Sequence, residues 1–315
     1  MVLTRFQNGD DKMVNVIVTG GCGRIGGQLV KRLVAGGDNV TVLDMKPGPI
    51  KDVKYIAAPL DQVNELPDVD VVYHLAASID YKASLDEMRK RNVEPTRRLL
   101  HLCSNCKHFI FMSTTSVYEE SPSAISESTP TAPYSNYGRS KLECEEIIKS
   151  SSIPYTIIRS SQVFGPDFEE GYSSFLKHLQ KGDLRLIGDG SNFIPLVHIN
   201  DLIDALLFVR LNKNALNQVF NLDGDYRKTQ LQFMGLAARL LGVEPPAGHM
   251  KLGTAKILAS LTGKAPRIEE YADKLAKNRQ ISIEKIKAIG FRPRVELEPA
   301  ISEVIKSFRK RGMLR

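Results

Sequence analysis

A tyrosine and a lysine stand four residues apart in "YGRSK", Tyr137 and Lys141. On a helix that spacing puts both side chains on one face, so an ammonium lies beside a phenol. A free phenol, with a pKa near 10, is a poor base at neutral pH. An adjacent cation favours the phenolate and brings it towards working range. Such a pair can take a proton from an alcohol, or return it, if something else handles the hydride on the same carbon.

A second feature supplies that partner. The stretch "VIVTGGCGRIGGQLV" carries Gly20, Gly21, Gly23 and Gly26 between an apolar run and a helical pattern. Glycines there let the backbone turn with positive φ and let a diphosphate reach amide N–H groups at a helix N-terminus. Asp44 ends the next strand, close to the spacing of about 20 residues expected of a ribose-binding carboxylate. It accepts from both ribose hydroxyls and repels a 2′-phosphate, which selects NAD over NADP. Lys46 and Arg24 lie near enough to soften that repulsion.

These groups need a scaffold. Over the first half, β-branched runs alternate with helical stretches, the mark of a parallel sheet with crossover helices. Strands are expected at Val14 to Thr19 and in "NVTVLD", "VKYIAA", "VDVVYHLAA", "HFIFMS" and "YTIIRS"; helices at Arg24 to Ala35, Leu85 to Cys103 and Tyr134 to Lys149. The order predicts an α/β fold, a Rossmann-type doubly wound parallel sheet. After Gly165 and Pro166 the pattern loosens into a smaller, mostly helical C-terminal substrate lobe. "VHINDLIDALLFV" and "QVFNL" return to the large domain as a helix and an edge strand. The expected partition is 14–165 plus roughly 194–224 for the NAD-binding domain and 166–193 plus 225–315 for the lobe, with 1–13 a flexible leader.

The glycine spacing TGxxGxxG resembles that of the extended short-chain dehydrogenase/reductase family, and the likeness recurs along nearly the whole chain. "PLDQ" carries Asp61 where the family places an acid against the adenine, and "HLAA" is similar to its fourth-strand motif. "RNVEPTRRLL", with Asn92, resembles NVxGTxxLL, although Pro95 replaces its glycine. "FMSTTSVYEE" resembles SSxxVYG, with Glu119 for glycine, and "YGRSK" is the family's YxxxK. "RSSQVFGPD", "PLVHINDLIDAL" and "QISIEKIKAIGFRPRVELEPAI" resemble three further family segments in the same order.

This resemblance implies an NAD-dependent nucleotide-sugar epimerase or dehydratase, foremost a UDP-sugar 4-epimerase. It implies that Thr114, four residues before Tyr118, holds the substrate oxygen, with Ser113 as the alternative hydroxyl. Tyr137 then acts as the proton carrier, Lys141 also binds the nicotinamide ribose, and Asn92 bonds backbone or an ordered water on a proton path. The implied cofactor bed is Gly20, Gly23, Arg24, Ile25, Gly26, Asp44, Lys46, Leu60, Asp61, Leu75, Ala76 and Ala77, together with Asn92, Tyr137 and Lys141. Implied substrate contacts are Ser78, Thr114, Thr115, Gln162 and Val163. The family's diphosphate arginine falls at Ile194, so that clamp is missing, and Arg267 in "KAPRIEEY" is the expected substitute. Two other readings stay open: a dehydrogenase of a sterol-like, apolar or small hydroxy compound, and a non-catalytic NAD-binding regulator. Relatives of this kind pair as homodimers through two long helices from each subunit, a four-helix interface.

Composition narrows the rest. The 315 residues carry a formal charge of +7, but the basic residues are scattered except in "KSFRKRGMLR", read as a solvated final helix rather than a nucleic-acid or membrane arm. No apolar run is long enough to span a bilayer, and the first residues lack a secretory h-region, so the expected location is cytoplasmic. Cys103 and Cys106 form a CxxC without the second pair a zinc site wants, and no metal is expected. His74 is read as a neutral strand residue, Arg159 as a strand-end surface charge, and His198 as the start of a helix capped by Asn200 or Asp201.

Overall fold

A computed structural model describes residues 13–119, 121, 123–169, 172–246, 248–251, 253–254 and 278–315. Most of the expected leader and Arg267 lie outside the described residues.

Seven strands form one parallel sheet: β1 (Asn15–Thr19), β2 (Asn39–Asp44), β3 (Lys54–Ala57), β4 (Val71–His74), β5 (His108–Thr114), β6 (Tyr155–Ser160) and β10 (Gln218–Leu222), in the order β10-β6-β5-β4-β1-β2-β3. Every pairing is parallel. The order reverses between β1 and β4, which opens a crevice at their carboxyl ends. Both faces of the sheet are covered, which is why its strands read as nearly continuous apolar runs.

The strand period of two sorts the side chains. Val16, Val18, Tyr73, Ile110 and Ile158 face α1 (Arg24–Ala35) and α6 (Ile199–Leu211), while Ile17, Val72, Phe109, Phe111 and Ile157 face α3 (Glu94–Leu102) and α4 (Asn136–Lys149). In α1 the buried residues Gly26, Leu29, Val30 and Leu33 follow the 3.6-residue stripe of a helix packed on one side. The helix expected over Leu85 to Cys103 is not a regular α-helix throughout. It opens as α2 (Leu85–Met88) on a capping box of Ser84 and Glu87, passes through a π turn (Arg89–Val93) and continues as α3.

The smaller lobe holds two short parallel pairs, β7 (Gln162–Phe164) with β9 (Leu196–His198) and β8 (Leu186–Ile187) with β11 (His249–Met250). Around them pack α5 (Tyr172–Lys181), α7 (Gln230–Leu241) and the final helix, α9 (Leu297–Lys310). Leu179, Phe233, Met234, Ile301, Val304 and Phe308 form a core of their own. The stretch before α9 behaves differently: Ile281, Ile283, Phe291 and Ile286 of α8 (Glu284–Ala288), which the sequence assigns to the lobe, pack into the core of the main sheet. The basic tail folds back, with Arg309 Nε donating to the Arg315 carbonyl at 2.9 Å and Gln180 holding both the N–H and the C=O of Arg315. Among the described residues no helix is long and apolar enough to cross a membrane.

Candidate active site

The glycine turn leaves β1 at the crevice. Gly20 has φ +70°, and a Cβ there would lie 2.8 Å from the Ala76 nitrogen. A Cβ on Gly26 would meet the Gly20 carbonyl oxygen at 2.2 Å, so only glycine lets α1 start this close to the strand. Gly23 is the N-cap of α1 without a side-chain cap, and the first turn, with Arg24 and Ile25, contains no acidic residue. Amide donors at that end suit an anion. Asp44, at the end of β2, accepts from the Cys22 nitrogen at 3.0 Å and the Met45 nitrogen at 2.8 Å, which fixes its carboxylate against the turn. A ribose carboxylate beside a diphosphate loop is what NAD needs, and these residues fit it.

The remaining residues of the expected cofactor bed also lie along this edge. Leu60 is buried in a 3-10 turn (Leu60–Gln62) with Asp61 exposed beside it. Leu75 and Ala76 are half-buried and Ala77 exposed just past β4, and Lys46 is exposed just past β2. The Arg24 guanidinium lies 5.9 Å from the centre of the Phe168 ring.

Helix α4 opens with Ser135, whose hydroxyl accepts from the Gly138 nitrogen. That cap sets Tyr137 in the first turn, half-buried, its ring edge-on to Tyr81 with centres 6.0 Å apart. One turn on, Lys141 is 2% exposed, its Nζ 3.9 Å from the centre of the Phe111 ring. Burial pushes the lysine down to about 8. Among the described residues it makes no ion pair, so its charge is not neutralised by a carboxylate.

Thr114, at the carboxyl end of β5, is half-buried and accepts from the Ser116 nitrogen at 3.1 Å, which leaves its hydroxyl proton for another acceptor. Ser113 points the other way, as strand alternation requires, and donates to the buried Glu145 at 2.6 Å. It is therefore a packing residue, not an alternative to Thr114. Thr115 is buried in the turn that follows.

Asn92, in the π turn, spends its whole amide internally: Oδ1 accepts from the Ser78 nitrogen at 2.7 Å, and Nδ2 donates to the Ser78 oxygen and to Ser140 Oγ, each at 3.1 Å. It holds the loop after β4 against α4, the backbone role, and neither of its amide protons is left for a proton path or a cofactor. His74 is likewise structural. Thr96 donates to the Asn92 carbonyl, so His74 Nε2 donates to Thr96 and Nδ1 accepts from Thr19. Burial, helped by the nearby Lys141 charge, pushes His74 down to about 3 and keeps it neutral.

Two sequence expectations need correction. Arg159 is not a surface charge: it is 4% exposed and paired with Glu145, Nη2 to Oε2 at 2.6 Å, and it donates to Tyr118 Oη at 2.6 Å. The cap of α6 is His198 itself, whose Nδ1 accepts from the Asn200 nitrogen, while Asp201 accepts from the nitrogens of Arg294 and Val295.

Gln162 is exposed and Val163 half-buried in β7, and Ile194 packs against the lobe core. Sequence reasoning passed over Glu145, although an acid one turn beyond Lys141 was a visible signal. It also passed over Asp223, just past β10, whose buried carboxyl is pushed up to about 7 mainly by desolvation.

Comparison with known proteins gives the family and the fold. Residues 16–223, more than half the chain, match the model of the NAD dependent epimerase/dehydratase family. The chain is 28% identical to a UDP-glucose 4-epimerase of Vibrio cholerae over 95% of its own length and 97% of that protein. It is 29% identical over 73% of its length to a protein of Bacillus subtilis described as an uncharacterized UDP-glucose epimerase, 83% of which is covered. Among solved structures, a UDP-glucuronic acid 4-epimerase from Bacillus cereus in complex with NAD superposes with a TM-score of 0.78 at 23% identity, over 94% of this chain and 99% of that one.

Proposed function

This chain belongs to the NAD dependent epimerase/dehydratase family, and from that premise we propose that it is an NAD-dependent UDP-sugar 4-epimerase. The observation that carries the reading is the pairing, at one sheet edge, of the glycine turn and Asp44 with Thr114, Tyr137 and the buried Lys141.

NAD, when bound, would supply reversible hydride transfer at the sugar carbon. Tyr137 takes the proton of the hydroxyl on that carbon and returns it, with its phenol biased towards the phenolate by the Lys141 ammonium. Thr114 donates to the same oxygen and holds it. Lys141 also binds ribose hydroxyls of the cofactor, and Phe111 keeps water from its Nζ. Asn92 positions Ser78 at the rim.

The test is incubation of the purified protein with UDP-glucose, UDP-galactose, UDP-N-acetylglucosamine, UDP-glucuronic acid and a few apolar alcohols, following both the substrates and reduced nicotinamide. Interconversion without net NADH supports the proposal. Net NADH from an apolar alcohol supports the dehydrogenase reading, which the apolar Ile194 favours. No turnover of any probe overturns the enzymatic reading in favour of an NAD-binding regulator.

On the same footing we place the substrate lobe at 166–193 and 225–315, with the 281–291 stretch docked on the sheet, and the enzyme in the cytoplasm, where its four free thiols accord with a reducing compartment. A homodimer through α2, α3 and α4 would bury a polar face, since Glu94, Arg97, His101, Arg139 and Glu146 are exposed there.

A further inference from the structure

Arg279 is 4% exposed, and its Nε and Nη2 are both buried without a hydrogen-bond partner. These two atoms form one edge of the guanidinium, a pair of parallel N–H donors shaped for two oxygens of one anion. Two other arginines fill that edge. Arg89 holds Glu143 with Nε and Nη2, each at 2.9 Å, and Arg159 holds Glu145 with the same two atoms. Arginine is seldom fully buried unless paired. Among the described residues, the Arg279 guanidinium meets the face of Tyr134, 5.8 Å from Cζ. A cation over a ring is a weak contact, too little to replace the lost hydration of two charged donors.

Tyr134 immediately precedes the cap of α4 and stands three residues before Tyr137. On the other side, Asn278 Oδ1 accepts from the Phe193 nitrogen at 3.1 Å, so Arg279 adjoins the strand of residues that runs through Ile194. The segment is held firmly, with Gln280 accepting from the Ile125 nitrogen at 2.7 Å and Ser282 donating to the Ile125 oxygen at 2.8 Å. Arg279 thus follows a residue bonded to Phe193, next to the position of the missing clamp arginine, and its guanidinium meets Tyr134, three residues before Tyr137.

We propose that the Nε–Nη2 edge of Arg279 binds an oxyanion of the substrate, a phosphate or carboxylate presenting two oxygens, and so determines which substrates are accepted. The identity of that substrate as a nucleotide sugar rests on the proposed function; the anion seat does not.

The experiment measures affinity by calorimetry and thermal shift for the NAD-loaded protein and its Arg279→Gln and Arg279→Lys variants. The probes are uridine, UDP, UDP-glucose, UDP-glucuronic acid and inorganic pyrophosphate. Loss of a charge-assisted pair predicts roughly 10- to 100-fold weaker binding of the anionic probes by Arg279→Gln. Arg279→Lys, which keeps the charge but not the fork, should fall between. Uridine and NAD affinity should be unchanged, and the melting temperature unchanged or higher, because an unpaired buried charge is removed. A loss shared by UDP and UDP-glucose assigns a phosphate; a loss confined to UDP-glucuronic acid assigns a carboxylate. Equal affinities in variant and wild type overturn the proposal, as does a lowered melting temperature with anion binding intact, which marks a structural arginine. A wild-type protein that binds pyrophosphate through Arg279 but no uridine compound keeps the seat and overturns the nucleotide-sugar reading. Binding of none of the anions overturns both.

Discussion

Arg159 and Glu145 close on each other beneath the crevice, a strand residue and a helix residue joined side-on with almost no exposure, 5% and 0% at the side chains. Burial alone would raise the Glu145 carboxyl, but the guanidinium and the Ser113 hydroxyl override it and hold it below its ordinary value. Arg159→Met should therefore leave a buried charge uncompensated and cost about 3–5 kcal/mol, read as a lower urea midpoint. Adding Glu145→Leu to the same chain should recover much of that loss. Additive losses in the double variant would show that the two do not act as a pair.

Gly26→Ala sets a methyl group 2.2 Å from the Gly20 oxygen, a backbone atom that cannot swing aside. The turn must widen, at about 1–3 kcal/mol of stability. NAD affinity, measured by fluorescence titration, should fall by more than tenfold. Gly27→Ala is the control, because the nearest atom there is an ordinary 3.6 Å away; it should bind NAD normally.

Tyr137→Phe keeps the ring that packs on Tyr81 and removes only the hydroxyl. Turnover should drop roughly 100- to 10,000-fold, the usual share of a general acid–base group, with NAD affinity within a factor of about two. Unchanged turnover would remove Tyr137 from the chemistry.

Asp223 predicts a pH effect on stability. Its carboxyl titrates at about 7 in the fold, chiefly through burial, and near 3.9 when unfolded. Between those values only the unfolded chain is ionised, so the folded state loses ground as pH rises from about 4 to about 7 and does not regain it above. Asp223→Asn, which preserves the acceptor for the Asp225 nitrogen, should match wild type near pH 4. At pH 8 it should be more stable by on the order of 4 kcal/mol. Denaturation curves at the two pH values check this; a constant difference would refute it.

Much of this was legible before any coordinates. The bounds of α1, β2, β6 and β10 follow from where apolar runs meet glycine, asparagine or a change of period. Asp44 and the glycine turn were readable because their spacing is local to one strand–helix–strand unit. The π turn was passed over although Pro95, two residues beyond "RKRNV", has no N–H to offer the Arg91 carbonyl; the fit of Asn92 between Ser78 and Ser140 is tertiary and was not readable. Arg159 looked exposed because a strand-end charge usually is, and Glu145 approaches it from another element. Ser113 and Thr114 were indistinguishable by type; only the phase of β5 tells which hydroxyl faces the helix.

Apart from the 281–291 stretch docked on the sheet, the lobe packs its apolar residues into a cluster separate from the two that cover the sheet. Substitutions inside that separate cluster should therefore leave the packing around the glycine turn and Tyr137 unaltered. A chimera that swaps the lobe's interior for another relative's should still melt with an intact sheet.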